Sequence, residues 1–156
     1  METTTLEARI AQPAFAVPGA MEALQALNKA ITRVRVPEGT RELMHLRAGQ
    51  INGCGVCVVG HSRIARKLGE SDDRLFAVAA WRDAPFFTDA ERAALALTEA
   101  VTRLADAADS VPDSVWDEAA LHFDEQELAA LVLSIATVNV WNRLNVATRQ
   151  VAGQEW

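Results

Sequence analysis

Cys54, Cys57, Val58, His61, Ile64, Ala65 and Leu68 fall at offsets of 0, 3, 4, 7, 10, 11 and 14 residues. That series follows the 3.6-residue period of an α-helix, so all seven side chains lie along one helical face. Asn52-Gly53 breaks the chain just before the stripe, and Gly69 is a good stop just after it. A helix bounded at both ends is therefore predicted over 54–68. It carries the chain's only two cysteines, with a histidine one turn beyond the second. Two thiols and a proton carrier in one small volume suit reversible dithiol chemistry.

The rest of the chain is punctuated in the same way. Pro18 precedes a helical segment over 21–33, with Leu24, Leu27 and Ile31 at helical spacing. Pro37 opens a second over 37–51, with Thr40 as a candidate cap. Ser71 or Asp72 caps a short helix to about Arg82, and Thr88-Asp-Ala-Glu91 is a capping-box pattern opening a helix to about Ala105. A short helix over 112–121 and a long one from Asp124 to about Arg149 complete the series. No window alternates in the β manner. The expectation is an all-α fold, a compact multi-helix domain of about six to seven helices, with residues 1–156 as a single domain.

Composition narrows the function. Half of the 156 residues are hydrophobic, enough for a proper core. The 15 basic against 21 acidic residues give a net charge of −6 without a basic run, which argues against nucleic acid. Met1–Ile10 does not read as a signal peptide, and the apolar run over 128–141 is too short to span a bilayer and contains Ser134, Thr137 and Asn139. The reading is a cytoplasmic protein with no membrane partner. Two cysteines form no disulfide framework; a close pair in a reducing cytosol is redox-active or metal-binding.

Several chemistries fit Cys54-Gly-Val-Cys57-Val-Val-Gly-His61. Thiolates are favoured in a helix's first turn by unpaired N–H groups and the macrodipole, and His61 can accept or return a proton. The structural alternative is a pair of small core residues. Cys-x2-Cys-x3-His also supplies three zinc ligands, with His45 or His122 as the only further histidines to complete the set. Haem attachment is excluded because Val58 stands where a histidine is needed, and a thioredoxin-like site lacks its βαβ context.

Glu42 twelve residues before Cys54, followed by Gln50-Ile-Asn-Gly-Cys54-x-x-Cys57-x-x-x-His61, resembles the AhpD-like alkylhydroperoxidases of the carboxymuconolactone decarboxylase superfamily. The resemblance runs over about 13–150 and includes the segment from Thr88 to Ala100 and the run from Asn139 to Asn145. It implies a thiol-dependent peroxidase acting on hydrogen peroxide or organic hydroperoxides without a cofactor or metal. Cys57 matches the cysteine that attacks the peroxide. Cys54 matches the partner that donates a proton and then resolves the sulfenate to a disulfide, and His61 and Glu42 match the proton relay. The resemblance also implies re-reduction by an external dithiol, a lipoyl protein or thioredoxin-like system, and a homo-oligomer, trimer or hexamer. The best-characterised relatives carry a second histidine where this chain has Val56. The alternative is a redox-sensing or small-molecule-binding module of the same fold. Lactone decarboxylation ranks below both, because that branch lacks the cysteine pair.

The other residues are read as structural. His45 is expected to be a surface or interface residue one turn from Glu42, and His122 a structural one. Asn139, Asn142 and Asn145 are expected to satisfy neighbouring helix ends or a subunit interface, without a catalytic role. Trp81, Trp116, Trp141 and Trp156 are core or interface aromatics, with Trp156 able to dock on a neighbouring chain.

Overall fold

The computed structural model describes residues 4–154, and Trp156 lies outside them. Among the described residues the chain is entirely helical: α1 (Pro13–Ala16), α2 (Ala20–Thr32), α3 (Glu38–Asn52), α4 (Gly55–Lys67), α5 (Asp72–Ala77), α6 (Asp89–Thr102), α7 (Asp113–Ala120) and α8 (Glu125–Thr148). Short 3₁₀ turns follow α5 (Val78–Asp83) and α6 (Leu104–Asp106). The expected all-α class holds, and each of the seven predicted helices is present.

Local chemistry explains most boundaries. Thr88 and Glu91 form a reciprocal capping box at the start of α6, and Asp124 and Glu127 form another at the start of α8. The Ser71 hydroxyl accepts from Arg74 N–H at the start of α5. Two expectations are corrected, and one element was not anticipated. Thr40 is no cap: Pro37 occupies that position and Thr40 lies buried inside α3. The helix predicted to reach Arg82 ends at Ala77, because Ala80 takes a non-helical conformation (φ −125°) inside the 3₁₀ turn that follows. The four-residue α1, too short to leave a periodic signal, is capped by the Gln12 side chain.

α3 is the central element. Its Met44 packs into a cluster with Leu97, Leu131 and Ile135 from α6 and α8. Its Leu43 and Leu46 pack into a second with Ala65, Val78, Trp81 and Leu95. Leu43, Leu46, Leu95, Leu97 and Leu131 are fully buried, each contributing about 2 kcal/mol of burial free energy. α4 lies tight against α3 where Gly49 faces Cys57: a Cβ on Gly49 would sit 3.2 Å from the Cys57 Cβ and 3.4 Å from Val58. The absent side chain sets the distance between the two helices that carry the site. Trp81 is buried, as expected, while Trp116 is 40% exposed.

The α4 stripe is wider than the face that α3 covers. Cys57 and Ala65 are buried, but Ile64 and Leu68 are 41% and 45% exposed. The apolar stripe therefore serves two environments, the packed contact with α3 and a cavity lined by Ile64. Among the described residues no helix is long and apolar enough to cross a membrane.

Candidate active site

The site begins at the break between α3 and α4. Gly53 takes the left-handed conformation (φ 66°) that ends α3, a region open to glycine at little cost. Asn52, the last residue of α3, is tied to α8: its Nδ2 donates to Asn139 Oδ1 (2.9 Å) and Asn142 Oδ1 (2.7 Å). Two of the three late asparagines thus bind the side chain of the last residue of α3.

Cys54 is not inside the helix. It is the N-cap of α4, in extended conformation, and its Sγ accepts the Cys57 N–H at 3.2 Å. Cys57 follows in the first turn. The two sulfurs are joined in a disulfide, with a Cα–Cα separation of 5.3 Å. Both cysteines are buried, at 1% and 4% exposure. Disulfide sulfurs are not thiolate ligands, so the Cys-Cys-His zinc set is not assembled in this state. His122, a candidate fourth ligand, is paired instead with Glu118 at 3.5 Å.

One turn beyond Cys57, His61 Nδ1 donates to Glu42 Oε2 at 2.7 Å. Burial by itself would raise the Glu42 pKa, but the His45 and His61 imidazoles beside it outweigh this and hold the carboxyl at about 2. An ionised carboxylate only accepts, so the shared hydrogen belongs to His61 Nδ1. Its Nε2 is then the ring nitrogen able to exchange protons. This is the arrangement of a base and its orienting carboxylate.

His45, expected at the surface or an interface and within reach of Glu42, does lie beside Glu42 but is largely buried as a member of this cluster. Its side chain is 15% exposed, its ring centroid is 4.8 Å from that of His61, and its Nδ1 is 3.7 Å from Glu42 Oε1. His45 Nε2 and Ser134 Oγ on α8 share a hydrogen bond of 2.7 Å. Burial, together with His61 and Arg41, pushes the His45 pKa down against the opposing pull of Glu42. A bare Nδ1 facing a carboxylate would be repelled, so the Ser134 hydroxyl donates to Nε2 and the Nδ1–H faces Glu42. Val56 leaves no imidazole at its own position, and the second imidazole of the cluster comes from α3. Glu42, His45 and His61 also bring three potential metal-ligand atoms within 4.8 Å of one another.

Asn145 was given no catalytic role from the sequence, yet it reaches both sulfurs. Its Nδ2 lies 3.5 Å from Cys57 Sγ and 3.8 Å from Cys54 Sγ. Its Oδ1 accepts from Gln12 Nε2 at 3.3 Å, and both side chains are buried. The available signal was the three-residue recurrence of asparagine along α8, which places Asn145 on the same face as Asn142. A cavity of about 450 Å³ opens over this assembly. Phe15, Met21, Ile64 and Trp141 give it apolar walls, and Cys57, His61 and Asn145 supply polar groups.

Comparison with known proteins places the fold and the family. The chain matches the Carboxymuconolactone decarboxylase family over residues 18–100. It is 35% identical over 130 residues to the uncharacterized protein YdfG of Bacillus subtilis (strain 168), covering 83% of this chain and 87% of that protein. Its fold superposes with a TM-score of 0.87 on a protein of unknown function from Agrobacterium tumefaciens, described there as a candidate antioxidant defence protein AhpD. That pair is 32% identical, over 96% of this chain and 100% of the other. The debrominase Bmp8 shares the fold at a TM-score of 0.77 and 24% identity, over 86% of this chain and 72% of its own. With its family match, its spacing and its helical architecture in agreement, the chain belongs to the carboxymuconolactone decarboxylase family as an AhpD-like member.

Proposed function

We propose that the chain is a thiol-dependent peroxidase that reduces hydroperoxides through the Cys54–Cys57 pair. The observation that carries this reading is the disulfide-bonded pair, with Cys57 and the Glu42-oriented His61 lining one cavity. In the reduced chain the Cys57 thiolate attacks one oxygen of the hydroperoxide. The S–O bond forms, the O–O bond breaks, and the alcohol leaves with a proton delivered through His61. Cys57 becomes a sulfenic acid. Cys54 then attacks that sulfur, the hydroxyl leaves as water, and the disulfide closes. The dithiol has lost two electrons and the peroxide has gained them. Glu42 fixes the His61 tautomer, and Asn145 supplies an N–H to the sulfur that carries the charge.

The apolar cavity walls favour organic hydroperoxides over hydrogen peroxide. Arginine and lysine are absent among the described residues lining the cavity, which argues against a lactone that carries carboxylates, despite the family's name. An external dithiol closes the cycle, and a homo-oligomeric, cytoplasmic, antioxidant role belongs to the same proposal. Bmp8 shares the fold alone and brings no substrate with it.

The test is to count free thiols by mass spectrometry on reduced protein, before and after one equivalent of cumene hydroperoxide. Loss of both thiols within seconds is expected, together with loss of turnover in Cys57→Ser. Thiols that persist, or normal peroxide consumption by Cys57→Ser, would overturn the assignment. Disulfide formation without sustained consumption under any dithiol would indicate a sensor instead.

A further inference from the structure

The two halves of the disulfide line different cavities. Cys57 lines the large one with His61, and Cys54 does not. A second cavity, of about 210 Å³, is lined by Cys54 and not by Cys57. It opens between the start of α4 and the end of α8, with Val56 and Asn145 lining both spaces. Gly53 and Gly55 form part of its wall without side chains. Arg149, just past the end of α8, also lines it, exposed and in a left-handed conformation (φ 53°). A residue with a Cβ adopts that conformation only at some cost in free energy. Among the described residues the Arg149 guanidinium has no hydrogen-bond or ion-pair partner. Among the described residues, the lining of the second cavity thus includes an arginine and no acidic residue, whereas the lining of the first carries neither arginine nor lysine.

We propose that the small cavity is the binding site for the reducing thiol and that it selects an anionic one, with Arg149 as the selecting group. The inference rests on the dithiol–disulfide cycle proposed above. A thiolate attacks one sulfur of a disulfide and expels the other, and the second cavity is lined by Cys54 and not by Cys57. The incoming thiolate bonds to Cys54 Sγ and the Cys54–Cys57 bond breaks. Cys57 departs with the electron pair, beside Asn145 Nδ2 (3.5 Å in the disulfide form), and takes a proton through His61. A second thiol of the reductant attacks the mixed disulfide. It leaves as the reductant's own disulfide and releases a Cys54 thiolate that accepts the Cys57 N–H. Two thiols are oxidised and one protein disulfide is reduced. A carboxylate or phosphate near the reductant's sulfur is drawn to Arg149, and its binding raises the local thiolate concentration. The hydroperoxide then meets Cys57 of the reduced pair through one cavity, and the reductant meets Cys54 of the disulfide through the other.

The test uses the full chain oxidised with diamide and reduced by 3-mercaptopropionate, 2-mercaptoethanol or cysteamine. Rates are normalised to the thiolate fraction of each reagent. Wild type is expected to react about fivefold faster with the anionic thiol than with the cationic one, a preference that shrinks as salt rises. Arg149→Lys should keep the preference. Arg149→Asn, which tolerates the left-handed backbone, should lose it, and Arg149→Glu should invert it. Alkylation-quenched samples should carry the thiol adduct on Cys54. An anionic-to-cationic ratio that is the same in wild type and Arg149→Glu, or adducts on Cys57, would overturn the proposal. No peroxide is present in this assay, so a chain inactive as a peroxidase still reports the charge preference. Conversely, a chain that fails with cumene hydroperoxide sinks the peroxidase reading without affecting this result.

Discussion

Replacing Glu42 with glutamine tests the electrostatics of the site through folding itself. The side chain is 8% exposed and its carboxyl is held at about 2, against an ordinary value of 4.5. At 1.36 kcal/mol per pH unit that difference makes the ionised group worth about 3 kcal/mol of folding free energy. The sign follows from proton binding. Between pH 4.5 and 2 the unfolded chain has taken up a proton at Glu42 and the folded chain has not, so acid favours unfolding. The contribution is complete above pH 4.5 and is lost as pH falls through the folded value near 2. Glutamine keeps the shape and can still accept from His61 Nδ1, but it does not titrate. Urea unfolding of the disulfide-bonded wild type and Glu42→Gln at a series of pH values isolates the effect as the difference between the two stabilities. Burial of neutral His45 adds a separate loss that begins as pH falls below 6.5, because the unfolded imidazole binds a proton more readily. The expected difference curve falls by about 3 kcal/mol between pH 5 and 2. Parallel curves would show that Glu42 is not ionised against its two imidazoles, and the relay geometry would lose its basis.

Two further substitutions probe other parts of the assembly. Glu99 is 5% exposed and accepts from Arg47 Nε (2.7 Å), Trp81 Nε1 (3.0 Å) and Arg82 (2.7 Å); Glu99→Gln should cost about 3 kcal/mol in urea unfolding, because Arg47 is left half-compensated against the core, and a loss below about 1 kcal/mol would refute that account. Asn145→Leu removes an N–H donor from both sulfurs and should slow iodoacetamide alkylation of the reduced chain about tenfold at pH 7, with an unchanged rate refuting the contact.

What could be read in advance follows the range of the forces involved. The capping boxes at Thr88–Glu91 and Asp124–Glu127 close within one turn, so a few adjacent residues specify them, and both form. The Glu42–His61 hydrogen bond joins different helices, and only the family spacing pointed to it. Periodicity placed Cys54 on the helical stripe but could not distinguish a cap residue from a first-turn residue, since both share the face. The burial of His45 depends on Ser134, 89 positions away, and the contact from Asn145 to the sulfurs depends on how α8 crosses α4. Helical spacing says which residues share a face, not which neighbour that face will meet. The same limit explains Ile64 and Leu68, apolar and in register but turned away from the α3 contact, with Ile64 lining the large cavity.

Two donors face the sulfurs of the disulfide. One is the Cys57 amide, fixed by the start of α4. The other is the Asn145 side chain, whose Oδ1 is held by Gln12, itself engaged through its Oε1 with the Ala14 N–H at the start of α1. The Gln12 anchor involves no sulfur atom, so opening the disulfide removes no contact between Gln12 and the Asn145 side chain. The relay is equally independent, because Glu42 belongs to α3 and His45 is tied to α8 through Ser134. A thiolate formed on reduction therefore meets an Asn145 N–H whose side chain is held from outside the dithiol, the condition under which a hydrogen bond stabilises developing charge with little reorganisation. The short α1 thereby becomes part of the chemistry through the Gln12–Asn145 link. That dependence explains why a Cys-x2-Cys-x3-His helix in isolation would have the residues of this site without its environment.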